Sequence, residues 1–223
     1  MIKEAKRNAL DVLSGNWGDA ILLFILMELI TLFLSIVGSF IGTAGSLIGS
    51  LITILFSNVI LMGLYTALLS ARKKYYYQIE YLFYHFKEDL PKKIWLGILK
   101  NLYIALWSIL LIIPGIIKTY SYMLTEFICM KNPNLKADEC ITASKRLMDG
   151  HKMELFKLDL SFIGWILLSL LTLGIGLLWV IPYMYQTRIE YIAKNLYPYF
   201  DDENSNQADE EIEEEYICVK EEK

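Results

Sequence analysis

Of the chain's 223 residues, 55% are hydrophobic before its 13 glycines are counted, above the roughly 45–50% of a soluble domain with glycine included. Charged residues still make up 21%, so apolar and charged stretches must alternate along the chain, which argues against a conventional water-soluble globule. The net charge of −4 hides a split: residues 201–223 carry eleven acids against Lys220 and Lys223, which leaves residues 1–200 at +5, a balance suited to anionic headgroups and spread between apolar stretches rather than over one face, as a nucleic-acid reader would need.

A bilayer's hydrocarbon is about 30 Å thick, so a crossing helix needs roughly 20 apolar residues. The first candidate is 20–41, interrupted by Glu28, and the second is 47–71. The third is 94–113, with Lys100 and Asn101 inside it, and Pro114-Gly115 is read as the break before a fourth at 116–130. The fifth is 154–173, Gly174-Ile175-Gly176 forms a turn, and the sixth is 177–197, with Pro182 as an internal kink. A cleaved signal peptide fits the start poorly, because the first apolar run is about 22 residues and not the usual 7–15.

Lys and Arg set the orientation. Lys3, Lys6 and Arg7 precede the first span, Arg72, Lys73, Lys74, Lys87, Lys92 and Lys93 surround the second connection, and Lys131, Lys136, Lys145, Arg146, Lys152 and Lys157 the fourth. The alternate connections are short and lack basic residues, with Lys118 just beyond one of them. Both termini are therefore expected in the cytoplasm. The expected fold is all-α: a polytopic transmembrane bundle of about six spans, arranged as three hairpins with amphipathic cytoplasmic connecting helices. Residues 1–200 form the membrane domain, and 201–223 a disordered acidic cytoplasmic tail.

Within 135–148, Ala137, Cys140, Ile141, Ser144, Leu147 and Met148 recur at spacings of three and four, so they predict an amphipathic helix ended by Gly150. It would lie in the headgroup plane or pack on the bundle. Tyr75, Tyr76, Tyr77, Tyr81 and Tyr84, beside Lys and Arg, suit a membrane–water interface. The last two hairpins are related at a constant offset: Gly115-Ile116-Ile117 with Tyr122-Met123 matches Gly176-Leu177-Leu178 with Tyr183-Met184. Lys6-Arg7 leading to Gly15 likewise parallels Lys145-Arg146 leading to Gly150.

Three of these segments carry a resemblance. They are Ile113-Pro114-Gly115-Ile116-Ile117-Lys118-Thr119-Tyr120-Ser121-Tyr122; Ala143-Ser144-Lys145-Arg146-Leu147-Met148-Asp149-Gly150-His151-Lys152; and Leu160-Ser161-Phe162-Ile163-Gly164-Trp165 with Leu171-Thr172-Leu173-Gly174-Ile175-Gly176. With Gly15-Asn16-Trp17, they resemble a bacterial integral-membrane family, domain of unknown function 975, over about residues 1–197. The resemblance implies a polytopic inner-membrane protein and brings no activity and no functional residues. More distantly, the hairpin pattern is similar to membrane domains attached to glycerophosphodiester phosphodiesterases, without the hydrolase residues.

No metalloprotease, nucleophile-elbow, P-loop or dinucleotide-binding pattern is found. Cys129, Cys140 and Cys218 are widely spaced and predict neither a disulfide framework nor a zinc site, and no cofactor is expected. His85 with Glu88 or Asp89 is the nearest thing to an acid–base pair, and it reads as a solvated face. Ionisable groups inside spans are the better pointers, since each costs roughly 2.5–3.5 kcal/mol on insertion scales unless paired or hydrated. At about 1.5 Å per residue, Glu28, Asn58, Lys100, Asn101, Glu126, Gln186 and Arg188 fall at one level in the cytoplasmic half, with Asp159 nearby in depth. Glu28–Lys100 and Glu126–Arg188 are the expected pairs. The layer reads as salt bridges fixing helix register or as an ion or solute path. The functional expectation is a non-enzymatic scaffold or regulator, acting through the bilayer or through a protein partner at the cytoplasmic face or acidic tail. A small-solute or ion transporter is the alternative, and a lipid-headgroup enzyme the second. No nucleic-acid partner is expected, and the number of subunits is left open.

Overall fold

The computed structural model describes residues 1–39, 42–74, 77–87 and 89–196. The acidic tail expected at 201–223, with Cys218, lies outside the described residues, as do Tyr75, Tyr76 and Glu88. Among the described residues every regular element is helical.

Helix α1, Ile2–Leu13, buries Ala5, Ala9, Val12 and Leu13, one face at helical spacing. It ends at Gly15, whose φ of +84° only glycine adopts without strain, while the Asn16 amide donates to the freed carbonyl of Val12 at 3.2 Å. The chain then bends by 96° into α2, Trp17–Ser39. Helix α3, Gly42–Lys74, packs antiparallel to α2 and continues 33 residues, about 50 Å at 1.5 Å per residue. A 3₁₀ segment, Ile79–Phe86, tucks against α3, where Gly63 lets the backbone of Leu82 approach.

Helix α4, Leu90–Leu110, and α5, Ile112–Ser121, form the second hairpin. The break falls at Leu111 in extended conformation, three residues before the expected Pro114-Gly115. Pro114 instead occupies the first turn of α5, where its missing N–H removes no intrahelical bond. Gly115 lies directly against Ser108, and Gly176 against Ser169, so the same serine-to-glycine contact closes both later hairpins. The expected fourth span is itself interrupted: α5 stops at Ser121, and α6 covers Thr125–Lys131. Helix α7, Ala137–Leu147, matches the expected amphipathic helix and buries Ala137, Cys140, Ile141 and Ser144. It explains the interruption. Its Ser144 hydroxyl accepts from the Leu124 amide at 3.1 Å and donates to the Ser121 carbonyl at 3.0 Å, satisfying two backbone groups that a continuous helix would have bonded internally.

The fifth expected span is also in two parts, α8 at Lys152–Leu160 and α9 at Ile163–Leu171. Leu173 and Gly174, at φ +53° and +86°, turn the chain into α10, Leu177–Asn195. By length and composition two helices can cross a membrane, through windows Ile52–Lys73 and Leu90–Leu110, and up to three can if the bent α1–α2 pair counts as one. That supports two to three of the six expected crossings.

Burial divides the molecule. At one end, the base, α1, α6, α7, α8 and the last half of α10 enclose Phe127, Leu155, Leu158, Phe162 and Tyr191. At the other end, the tip, Ile109–Ile113, Leu170–Leu173 and Ile175 stand exposed.

Candidate functional site: a polar layer among the helices

Of the polar residues predicted to share a level, Asn58, Glu126 and Gln186 are buried between helices, and Lys100 and Arg188 are half-buried. Lys100 of α4 is paired with Glu126 of α6, their side chains 12% and 3% exposed. Glu126 opens α6, where the positive end of the helix dipole also favours its carboxylate. Arg188 of α10 donates to Asp159 of α8 at 2.7 Å, and Tyr120 of α5 donates to the other oxygen of Asp159 at 2.8 Å. The Arg188 guanidinium also lies over the Tyr185 ring, 5.3 Å from its centroid. A third pair ties α3 to α10, with Arg72 donating to Glu190 at 3.0 Å. Gln186, one turn before Glu190, donates to it at 3.2 Å and accepts from the Tyr77 hydroxyl at 3.3 Å.

The partners differ from those expected. Lys100 takes Glu126 rather than Glu28, and Arg188 takes Asp159 rather than Glu126. Depth along a helix gives a residue's level but not the direction it faces. Helix α2, which carries Glu28, packs against α3 and α10, and the break at 122–124 resets the face that Glu126 presents. Glu28 is exposed on the wall of a groove of about 600 Å³ between α2 and α10, otherwise apolar, with Phe24, Leu32, Ile181, Pro182 and Tyr185 among its lining. Asn58 is buried against Gly97 of α4, so close that a β-carbon at position 97 would collide with its amide. Asn101 is exposed and does not join the layer.

Glu190, Arg72 and Tyr77 join this network without having been expected in it. Glu190 stands at i+4 from Gln186, a spacing that places both on one helix face and could have flagged it. Tyr77, expected at the membrane interface, is buried, and burial followed by the nearby Glu190 carboxylate pushes its phenol up. His85 is not paired with Asp89 but lies 2.8 Å from the Thr66 hydroxyl. Cys129 and Cys140, eleven residues apart, are both buried and free. Among the described residues no group of three His, Cys, Asp or Glu is placed to hold a metal ion.

The family described as "Protein of unknown function (DUF975)" matches residues 1–121 and 108–194. The chain belongs to this family. The matches reach from α1 to the last turn of α10, so they include every residue of the polar layer in this DUF975 protein. No curated protein and no solved structure matches the chain.

Proposed function

We propose that this protein is a multi-pass protein of the bacterial cytoplasmic membrane, with six crossings and both termini in the cytoplasm, that works without catalysis as a scaffold or regulator through lipid or protein partners. The orientation follows from the alternation of Lys and Arg along the chain. In this reading, α5 with α6 and α8 with α9 are crossings broken at the level where other helices satisfy the freed backbone. The observation that carries the functional reading is how the layer's charges are engaged. Lys100, Glu126, Arg188, Asp159, Arg72 and Glu190 each meet an opposite charge on another helix. Charges committed in this way fix helix register and leave the faces of the bundle for partners.

One observation favours transport as the second reading: Glu28 brings a carboxylate to an apolar groove. Reconstitution of the full chain into vesicles separates the two. Under the scaffold reading, Glu126→Ala lowers membrane yield, and the double change Lys100→Met with Glu126→Leu restores it. A Glu28→Gln protein that folds normally yet loses a solute or ion flux present in the parent would overturn the scaffold reading and establish transport.

A further inference from the structure

The groove between α2 and α10 is walled on each side by a hydrogen-bond acceptor. Helix α2 leaves the base and α10 returns to it, so the two run antiparallel, and the Phe24 ring meeting Tyr185 edge-on at 5.2 Å fixes their register. One turn on from Phe24 is Glu28, and one turn back from Tyr185 is Ile181, so Glu28 lies level with Ile181 and Pro182, all three in the lining. Pro182 has no N–H, so the carbonyl of Leu178, four residues before it, loses its usual intrahelical donor. Helix carbonyls point toward the C-terminal end, which brings this one to the level of Glu28.

Among the described residues the Glu28 side chain has no hydrogen bond or ion pair, and no Lys, Arg or His lines the groove. An unpaired carboxylate and a freed carbonyl select a positively charged donor. A divalent metal ion takes about six to eight oxygen ligands, which this otherwise apolar lining does not supply. A protonated primary amine carries three N–H donors and no acceptor, so it can serve both groups at once. Phe24 on one side of this level and Leu32 on the other offer apolar surface to the body of such a molecule. The volume of about 600 Å³ falls within the roughly 300–1,000 Å³ of small-molecule sites. An aminophospholipid fits less well, because its phosphate would enter a groove that has no cation to receive it.

We propose that the groove binds a free lipophilic primary amine, with its ammonium between the Glu28 carboxylate and the Leu178 carbonyl and its apolar body along α2 and α10. The inference goes beyond both readings of function above: it requires a ligand held at equilibrium and no flux, so its success or failure in detergent is separate from theirs.

The test is equilibrium dialysis of the full chain in neutral detergent against radiolabelled 4-phenylbutylamine, with protein-free micelles as the background. The amine binds saturably, and 4-phenylbutanol and 4-phenylbutyrate, which share its apolar body, compete about tenfold more weakly or worse. That comparison is made within the parent protein and does not depend on the folding of any variant. Glu28→Gln weakens amine binding tenfold or more. Ile181→Trp, which fills the groove and leaves the carboxylate in place, weakens it as well. Short-chain phosphatidylethanolamine does not displace the amine. Equal affinity for amine and alcohol, or unchanged amine binding in either variant, overturns the proposal. Displacement by phosphatidylethanolamine at lower concentration than by unlabelled amine assigns the groove to a lipid and also overturns it, as does a dimer of the parent that takes up no amine and dissociates in Glu28→Gln, which assigns the groove to a second copy of the chain.

Discussion

The base and the tip are built from the same residue types and differ in what surrounds them. Leu155 and Leu158 at the base are fully buried, whereas Ile109 and Leu173 at the tip are 84% and 95% exposed. The layer's ion pairs and Ser144 lie with the packed part, and the tip presents leucine and isoleucine outward. Hydrophobicity therefore identifies residues that avoid water without saying whether protein or lipid shields them. A large exposed apolar surface of this kind marks an interaction face or a membrane contact, while the enclosed base resembles the interior of a soluble domain.

Four measurements, all by reversible unfolding in detergent, sharpen this contrast. The largest effect is expected at the layer. Glu126→Ala leaves Lys100 buried without its counter-charge and destabilises by about 3–5 kcal/mol, and replacing both by apolar residues recovers most of the loss. Leu155→Ala at the base removes a fully buried side chain and costs about 2–5 kcal/mol, whereas Ile109→Ala at the tip changes stability by under about 0.5 kcal/mol. Equal effects at the two positions would mean that the tip is enclosed by protein, for instance in an oligomer. Ser144→Ala strands the Leu124 amide and the Ser121 carbonyl and costs about 1–3 kcal/mol.

A pH step probes the packed part as well. His85 titrates near 4 in the folded chain against 6.5 as a free group, so between those values the unfolded chain binds more protons. The stability conferred by the neutral ring is present above about pH 6.5 and is lost as pH falls toward 4. His85→Gln removes this part of the acid dependence and leaves the part due to carboxylates. An identical pH profile for parent and variant would place His85 in water.

Much of this architecture is legible in the order of residues. Amphipathic spacing in 135–148 predicts α7, whose buried face carries Cys140, Ile141 and Ser144 as expected. The paired glycine signals hold as well. Gly15 and Gly150 both adopt positive φ at the ends of amphipathic helices, and Gly115 and Gly176 make equivalent contacts in their hairpins. Pro114 does not mark the turn, which falls at Leu111, because a proline that can end a helix can equally begin one. The interruptions at 122–124 and 161–162 left no such mark, since Tyr122-Met123-Leu124 and Ser161-Phe162 suit a helix interior as well as a break.

What the sequence determined by itself is helicity and the approximate hairpin ends, because apolar runs and the Gly and Pro residues between them mark both. Tertiary structure decided which charges meet. Each residue turns a helix by about 100°, so an interruption of two or three residues redirects every side chain beyond it. Asp159 became the partner of Arg188, and Glu126 that of Lys100, through helix packing that depth along the chain does not encode.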